Sequence, residues 1–133
     1  MKNGMVSWLS QVGFLDNEKD VLHYQCGDGK LAFELGIDGY DSKRFPGKLT
    51  KKYDAILFLY YDKSGCKGLS RLIKEMQAHL KDEGAIYITI TKRSMLLIEN
   101  GDMIHYSSKN IFYRLNKKKK YVVTKDIYLR SGK

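Results

Sequence analysis

The chain has 133 residues, 43% of them apolar and 29% charged, with a single proline and a formal charge of +9. That length lies in the commonest range for one domain, and the composition excludes a disordered, collagen-like or low-complexity chain, so one globular unit spanning 1–133 is expected. Two cysteines, Cys26 and Cys66, and three scattered histidines exclude a disulfide framework and give no ligand set for a metal.

In chain order, Met5, Trp8, Leu9 and Val12 recur at helical spacing and predict an amphipathic helix that stops near Gly13. The same stretch is broken by polar residues and carries no cleavage signature, so neither a membrane span nor a secretion leader is expected, and the location implied is cytoplasmic. Residues 21–35 then read as a short apolar strand, a Cys26-Gly27-Asp28-Gly29 turn and a helix start. Two glycines at that point let the backbone approach a ligand closely, an arrangement suited to a nucleotide-like cofactor. Gly36-Ile37-Asp38 follows, then a second apolar strand over 53–61.

Leu69, Leu72, Ile73, Met76 and Leu80 form the cleanest helical stripe, with Gly84 placed to stop the helix before a third apolar strand, 85–90. The two strands flanking that helix are nearly continuous apolar runs, as parallel strands covered on both faces must be. A right-handed crossover is therefore expected, and with it a doubly wound sheet whose ligand crevice lies beyond the carboxyl ends of the strands. After residue 92 the pattern loosens. Asn100-Gly101 predicts either a hairpin over 95–106 or a short helix closed by that pair. Ser107 or Ser108 is placed to cap a short helix over 110–115, and 121–129 reads as an antiparallel edge strand.

The succession Val21-Leu22-His23-Tyr24-Gln25-Cys26-Gly27-Asp28-Gly29, Gly36-Ile37-Asp38, Tyr53-Asp54-Ala55-Ile56, and Glu83-Gly84 before an apolar strand resembles the class I S-adenosylmethionine-dependent methyltransferases over roughly 20–92. The resemblance implies an α/β Rossmann-like sheet, doubly wound, mostly parallel and shortened, with antiparallel C-terminal strands. It implies S-adenosylmethionine as cofactor, held by Gly27, Asp28, Gly29 and the ribose-binding acid Asp38, with Asp41 a competing choice three residues later. Tyr60, Tyr61 and Asp62, after the second long strand, stand where the family contacts its acceptor. Two positions depart from the family: His23 replaces an acidic residue and Gln25 replaces the first glycine. The stretch between Asp41 and Tyr53 is also too short for the family's next helix and strand.

Charge is regional. Residues 91–133 hold eleven Lys and Arg against three acids, hence +8 of the total +9, with Tyr106, Phe112, Tyr113, Tyr121 and Tyr128 interleaved. The run Lys117, Lys118, Lys119, Lys120 is either a solvated turn guarding an edge strand or a contact surface for nucleic acid or an acidic protein. Three functions stay open: a small methyltransferase with an unknown acceptor, an inactive methyltransferase-like scaffold, and a nucleic-acid-binding α/β domain. A homo-oligomer or a partner protein could complete the shortened site. Methyl transfer needs alignment and a dry site more than a dedicated base, so no catalytic residue is fixed by the sequence beyond Tyr60, Tyr61 and Asp62 as candidates.

Overall fold

A computed structural model describes residues 19–25, 29–41, 49–59 and 65–125. The helix expected over 5–12 lies outside these residues. Val21–Tyr24 form β1, Lys30–Leu35 a short helix α1, Asp38–Tyr40 β2 and Tyr53–Leu59 β3. The helix α2 spans Gly65–Gln77 and is followed by β4, Leu80–Thr91, and a single 3₁₀ turn, Lys92–Ser94. Four strands complete the order: β5 Leu96–Glu99, β6 Asp102–Tyr106, β7 Asn110–Asn116 and β8 Val122–Lys125.

Six strands form one sheet in the order β2-β1-β3-β4-β7-β6, and β5 with β8 forms a two-stranded sheet. β1, β2, β3 and β4 run parallel. β7 is antiparallel to both of its neighbours, β4 and β6. This is the expected shortened α/β class, mostly parallel with antiparallel C-terminal strands. From β1 the chain crosses to β2 on one side, whereas β3 and β4 lie on the other, so the strand order reverses between β1 and β3. Right-handed crossovers in opposite directions place α1 and α2 on opposite faces.

Alternation along the strands builds two cores. Leu22, Tyr24, Ile56, Phe58, Ile86, Ile88 and Ile90 face the α2 side, where Leu69, Ile73 and Met76 cover them, with Leu96, Ile98 and Val123 of the small sheet alongside. Val21, Ala55, Leu57, Ala85, Tyr87 and Phe112 form the second cluster on the other face. Because β3 is buried on both faces, its sequence is a continuous apolar run from Ala55 to Phe58.

Four local readings change. α2 ends at Gln77, and Leu80, which continues the helical stripe, is the first residue of β4. Gly84 therefore stops no helix. It sits in a bulge where Tyr53 pairs with Leu80 but Ala55 pairs with Ala85. A Cβ there would lie 2.8 Å from the Tyr53 carbonyl oxygen and 3.1 Å from that of Asp54, so the residue is set by close backbone approach.

Asn100, at φ 67°, does turn the chain with Gly101, but β5 and β6 do not pair with each other: β5 pairs with β8, β6 with β7. Residues 110–116 are a strand and not a capped helix. Ile111, Tyr113 and Leu115 fill one core while Phe112 fills the other, and two flanking strands take the backbone hydrogen bonds. The Ser107 hydroxyl accepts from the Asn110 amide at 3.0 Å, closing a turn between strands. Of the strand expected over 121–129, β8 occupies 122–125, and 126–129 lies outside the described residues.

Replacing Gly84 by Ala forces β3 and β4 apart at the bulge. Urea denaturation of Gly84→Ala is expected to show a loss of about 1–3 kcal/mol, the usual cost of overpacking. A loss below the error of extrapolation would mean that the bulge relaxes freely.

Candidate functional site

The carboxyl ends of β1 and β3, where the strand order reverses, mark the place in an open α/β sheet where a ligand crevice forms. The turn leaving β1 begins at Gln25, which adopts φ 55°. Gln25 thus holds the left-handed conformation that a glycine takes without cost, at the very position where the methyltransferase pattern has its first glycine. Gly29 is left-handed as well, at φ 79° and ψ 4°, and opens α1. Gly27 and Asp28 lie outside the described residues, as do Cys26 and Tyr60, Tyr61 and Asp62 beyond the end of β3.

α1 is short because it is closed at once. Gly36, at φ 70°, donates its amide to the Phe33 carbonyl at 3.2 Å, and the Ile37 amide reaches the Ala32 carbonyl at 3.0 Å, a Schellman ending. β2 then starts at Asp38, which pairs with Leu22. Asp38 is therefore the first residue of its strand, two residues below the carboxyl end at Tyr40, and the acid that follows that end is Asp41. Asp38, the ribose-binding acid that the resemblance implies, thus stands at the start of β2.

The partners of Asp38 belong to the opposite end of the sheet. Tyr53 Oη, at the start of β3, donates to Asp38 Oδ2 at 2.7 Å, and Lys51 Nζ lies 3.8 Å from the same oxygen. Lys51 also contacts Asp20 Oδ1 at 2.9 Å, and Lys81 Nζ joins Asp20 Oδ2 at 2.9 Å to Asp54 Oδ2 at 3.2 Å. The hydrogen bonds from Lys81 and Lys51 hold the Asp20 carboxyl below its ordinary value. Burial, then the bond to Asp38, pushes the Tyr53 phenol well above its own, so it stays a donor. This chain of ion pairs stitches together the amino ends of β1, β3 and β4.

The lysine run occupies that same end. β7 finishes at Asn116, paired with Ala85 near the start of the apolar part of β4, and Lys117 to Lys120 form the turn beyond it. Lys117 Nζ is 3.5 Å from Asp82 Oδ1. The Lys119 amide donates to Asn116 Oδ1 at 3.0 Å, and its carbonyl accepts from Gln77 Nε2 at 2.9 Å. The structure thus separates two features that the sequence left free to meet: the glycine turn leaves the carboxyl ends of the parallel strands, and the four lysines cluster near the amino ends.

His23, at the family's acidic position, is buried on the face opposite α2, and its Nδ1 finds no partner among the described residues. Desolvation holds its pKa below the ordinary 6.5, so the folded protein carries it neutral. Among the described residues no three His, Cys, Asp or Glu side chains could hold a metal, and no helix is long and apolar enough to cross a membrane.

The fold has known counterparts. The PH0226 protein of Pyrococcus horikoshii superposes with a TM-score of 0.56 at 11% identity, covering 85% of this chain and 89% of its own. A TehB-like SAM-dependent methyltransferase from Corynebacterium glutamicum superposes with a TM-score of 0.53 at 14% identity, covering 89% of each chain. No protein-family model matches the sequence, and no curated protein matches it. At these identities the likeness is one of fold: the chain has the architecture of a class I S-adenosylmethionine-dependent methyltransferase.

Two measurements test the local physics. Gln25→Gly should change stability by less than about 1 kcal/mol, whereas Gln25→Val, a branched residue forced to positive φ, should lose about 1–2 kcal/mol in urea denaturation. Because the His23 pKa is depressed on folding, its contribution is complete above pH 6.5 and falls as pH drops through the folded value. The stability difference between the natural protein and His23→Leu should therefore move in favour of the leucine variant below pH 6.5 and stay constant above it; a pH-independent difference would contradict the buried neutral imidazole.

Proposed function

We propose that this protein binds S-adenosylmethionine along the carboxyl edge of β1 and β2 and transfers its methyl group to an acceptor docked on the same edge. The observation that carries this reading is the backbone of the β1 turn. Gln25 bears the strain of a left-handed conformation, and Gly29 repeats it, where the strand order reverses.

Within that crevice the backbone of Gly27, Asp28 and Gly29 would lie against the cofactor. Asp41, following the carboxyl end of β2, would take the ribose hydroxyls in place of Asp38, whose carboxylate is engaged by Tyr53 and Lys51. A neutral His23 supplies no negative charge for the amino group of the methionine moiety, so that end would rest on backbone carbonyls. S-adenosylmethionine supplies an electrophilic methyl group, and the protein's part is to align an acceptor with it and exclude water. Tyr60, Tyr61 and Asp62, which follow β3 in the sequence, are the proposed acceptor contacts.

A second reading is favoured by His23: a methyltransferase-like binding module without cofactor. Calorimetric titration with S-adenosylmethionine and S-adenosylhomocysteine separates the two. Micromolar binding is expected, abolished in Gly27→Val, weakened at least tenfold in Asp41→Ala and changed less than about threefold in Asp38→Ala. An Asp38→Ala loss exceeding that of Asp41→Ala would return the ribose role to Asp38. The absence of binding at millimolar ligand would leave the binding module.

A further inference from the structure

β4 outruns β3. Leu59, the last residue of β3, pairs with Thr89, and β4 continues for two more residues to Thr91 before turning through Lys92–Ser94. Beside the carboxyl end of β4 lies an open pocket of about 380 Å³ lined by Thr91, Lys92, Arg93, Ser108, Lys109 and Asn110. Three of the six side chains are cationic and none is acidic. Neither Arg93 nor Lys109 forms an ion pair among the described residues.

The walls are fixed. The Lys92 amide donates to the Lys109 carbonyl at 2.9 Å, Ser94 Oγ donates to the Thr91 carbonyl at 2.7 Å, and Ser107 Oγ accepts from the Asn110 amide at 3.0 Å. Lys92 Nζ sits 3.4 Å from the centre of the Tyr106 ring, which remains 53% exposed.

From these features we infer that the pocket at the end of β4 binds a phosphate group of a nucleotide or nucleic-acid acceptor. A guanidinium offers a planar pair of donors matched to phosphate oxygens, and two ammonium groups supply the remaining charge, one of them held over the ring of the half-exposed Tyr106. The location fits an acceptor. The pocket lies on the carboxyl edge, two strands over from β1 and three residues further along β4 than the end of β1, roughly 14 Å away, whereas the lysine run lies on the amino edge. The word acceptor rests on the methyl-transfer reading; the phosphate site does not.

The test is fluorescence anisotropy of a short labelled single-stranded RNA over a range of salt, with adenosine monophosphate and an acidic glutamate-rich peptide as competitors. Arg93→Gln/Lys109→Gln, an exposed pair whose fold is checked by thermal melting, should weaken binding at least tenfold and flatten the slope of log K against log salt by about 1–2. Lys118→Gln/Lys119→Gln should change affinity less than about threefold. Competition by the monophosphate at concentrations close to the RNA's own would assign the site to free nucleotides, and preference for RNA would assign it to a polynucleotide. Equal losses in both double variants, displacement by the peptide as effective as by RNA, or no binding of either phosphate ligand would overturn the proposal. S-adenosylmethionine titrated into the same variants keeps the two ideas apart. Cofactor binding without RNA binding removes only the phosphate site, and RNA binding at Arg93 without cofactor binding removes only methyl transfer.

Discussion

β3 is hydrogen-bonded on both sides, to β1 and to β4, and Ala55, Ile56, Leu57 and Phe58 are almost wholly removed from water. A parallel strand cannot reach its neighbour by a tight turn, so each pairing requires the chain to cross a face of the sheet and return. Burying β3 on both faces thereby fixes the direction of β1 and β4, the side on which α2 packs, and the end of the sheet at which every loop emerges. The separation of the molecule into two chemically distinct edges follows from that single requirement.

At the amino edge, Asp20, Asp38, Lys51, Asp54 and Lys81 answer one another in ion pairs, and the turn of Lys117 to Lys120 adds positive charge beside them. Individually such exposed pairs contribute little, but a closed network orders three strand starts at once. The carboxyl edge differs: it contains a turn in a costly conformation, an acid after β2 and a cationic pocket after β4. The two edges thus differ in how charge is held: ion pairs tie strand starts together at one, while Arg93 and Lys109 form no ion pair among the described residues at the other.

The parts of this arrangement legible in the sequence were those with strong local patterns. The apolar runs of β3 and β4 and the 3.6-residue stripe of α2 each declare their structure within a dozen residues. The misplaced features depend on what happens elsewhere. Leu80 satisfies the helical stripe and the strand equally, and only its pairing with Tyr53 decides. Asp38 opens β2, because the Gly36 ending of α1 hands the chain directly to a strand only three residues long. β7 shows a serine that resembles a helix cap, yet two partner strands make extension the better solution. The basic segment reads as one block in sequence, and the folded chain distributes it to opposite ends because β7 runs antiparallel to β4.

The pairing of β5 with β8 has a consequence for how the chain assembles. Tyr106 and Ile111 need close only a five-residue span to begin β6–β7, but Leu96 must find Lys125 across the whole of that hairpin. Ordering a longer loop costs more entropy before any contact rewards it, so the small sheet closes after the hairpin it encircles. Until β8 arrives, Leu96 and Ile98 face α2 with one side open. β8 is thus a latch over the α2 core, joined to β5 only across the whole span of the β6–β7 hairpin.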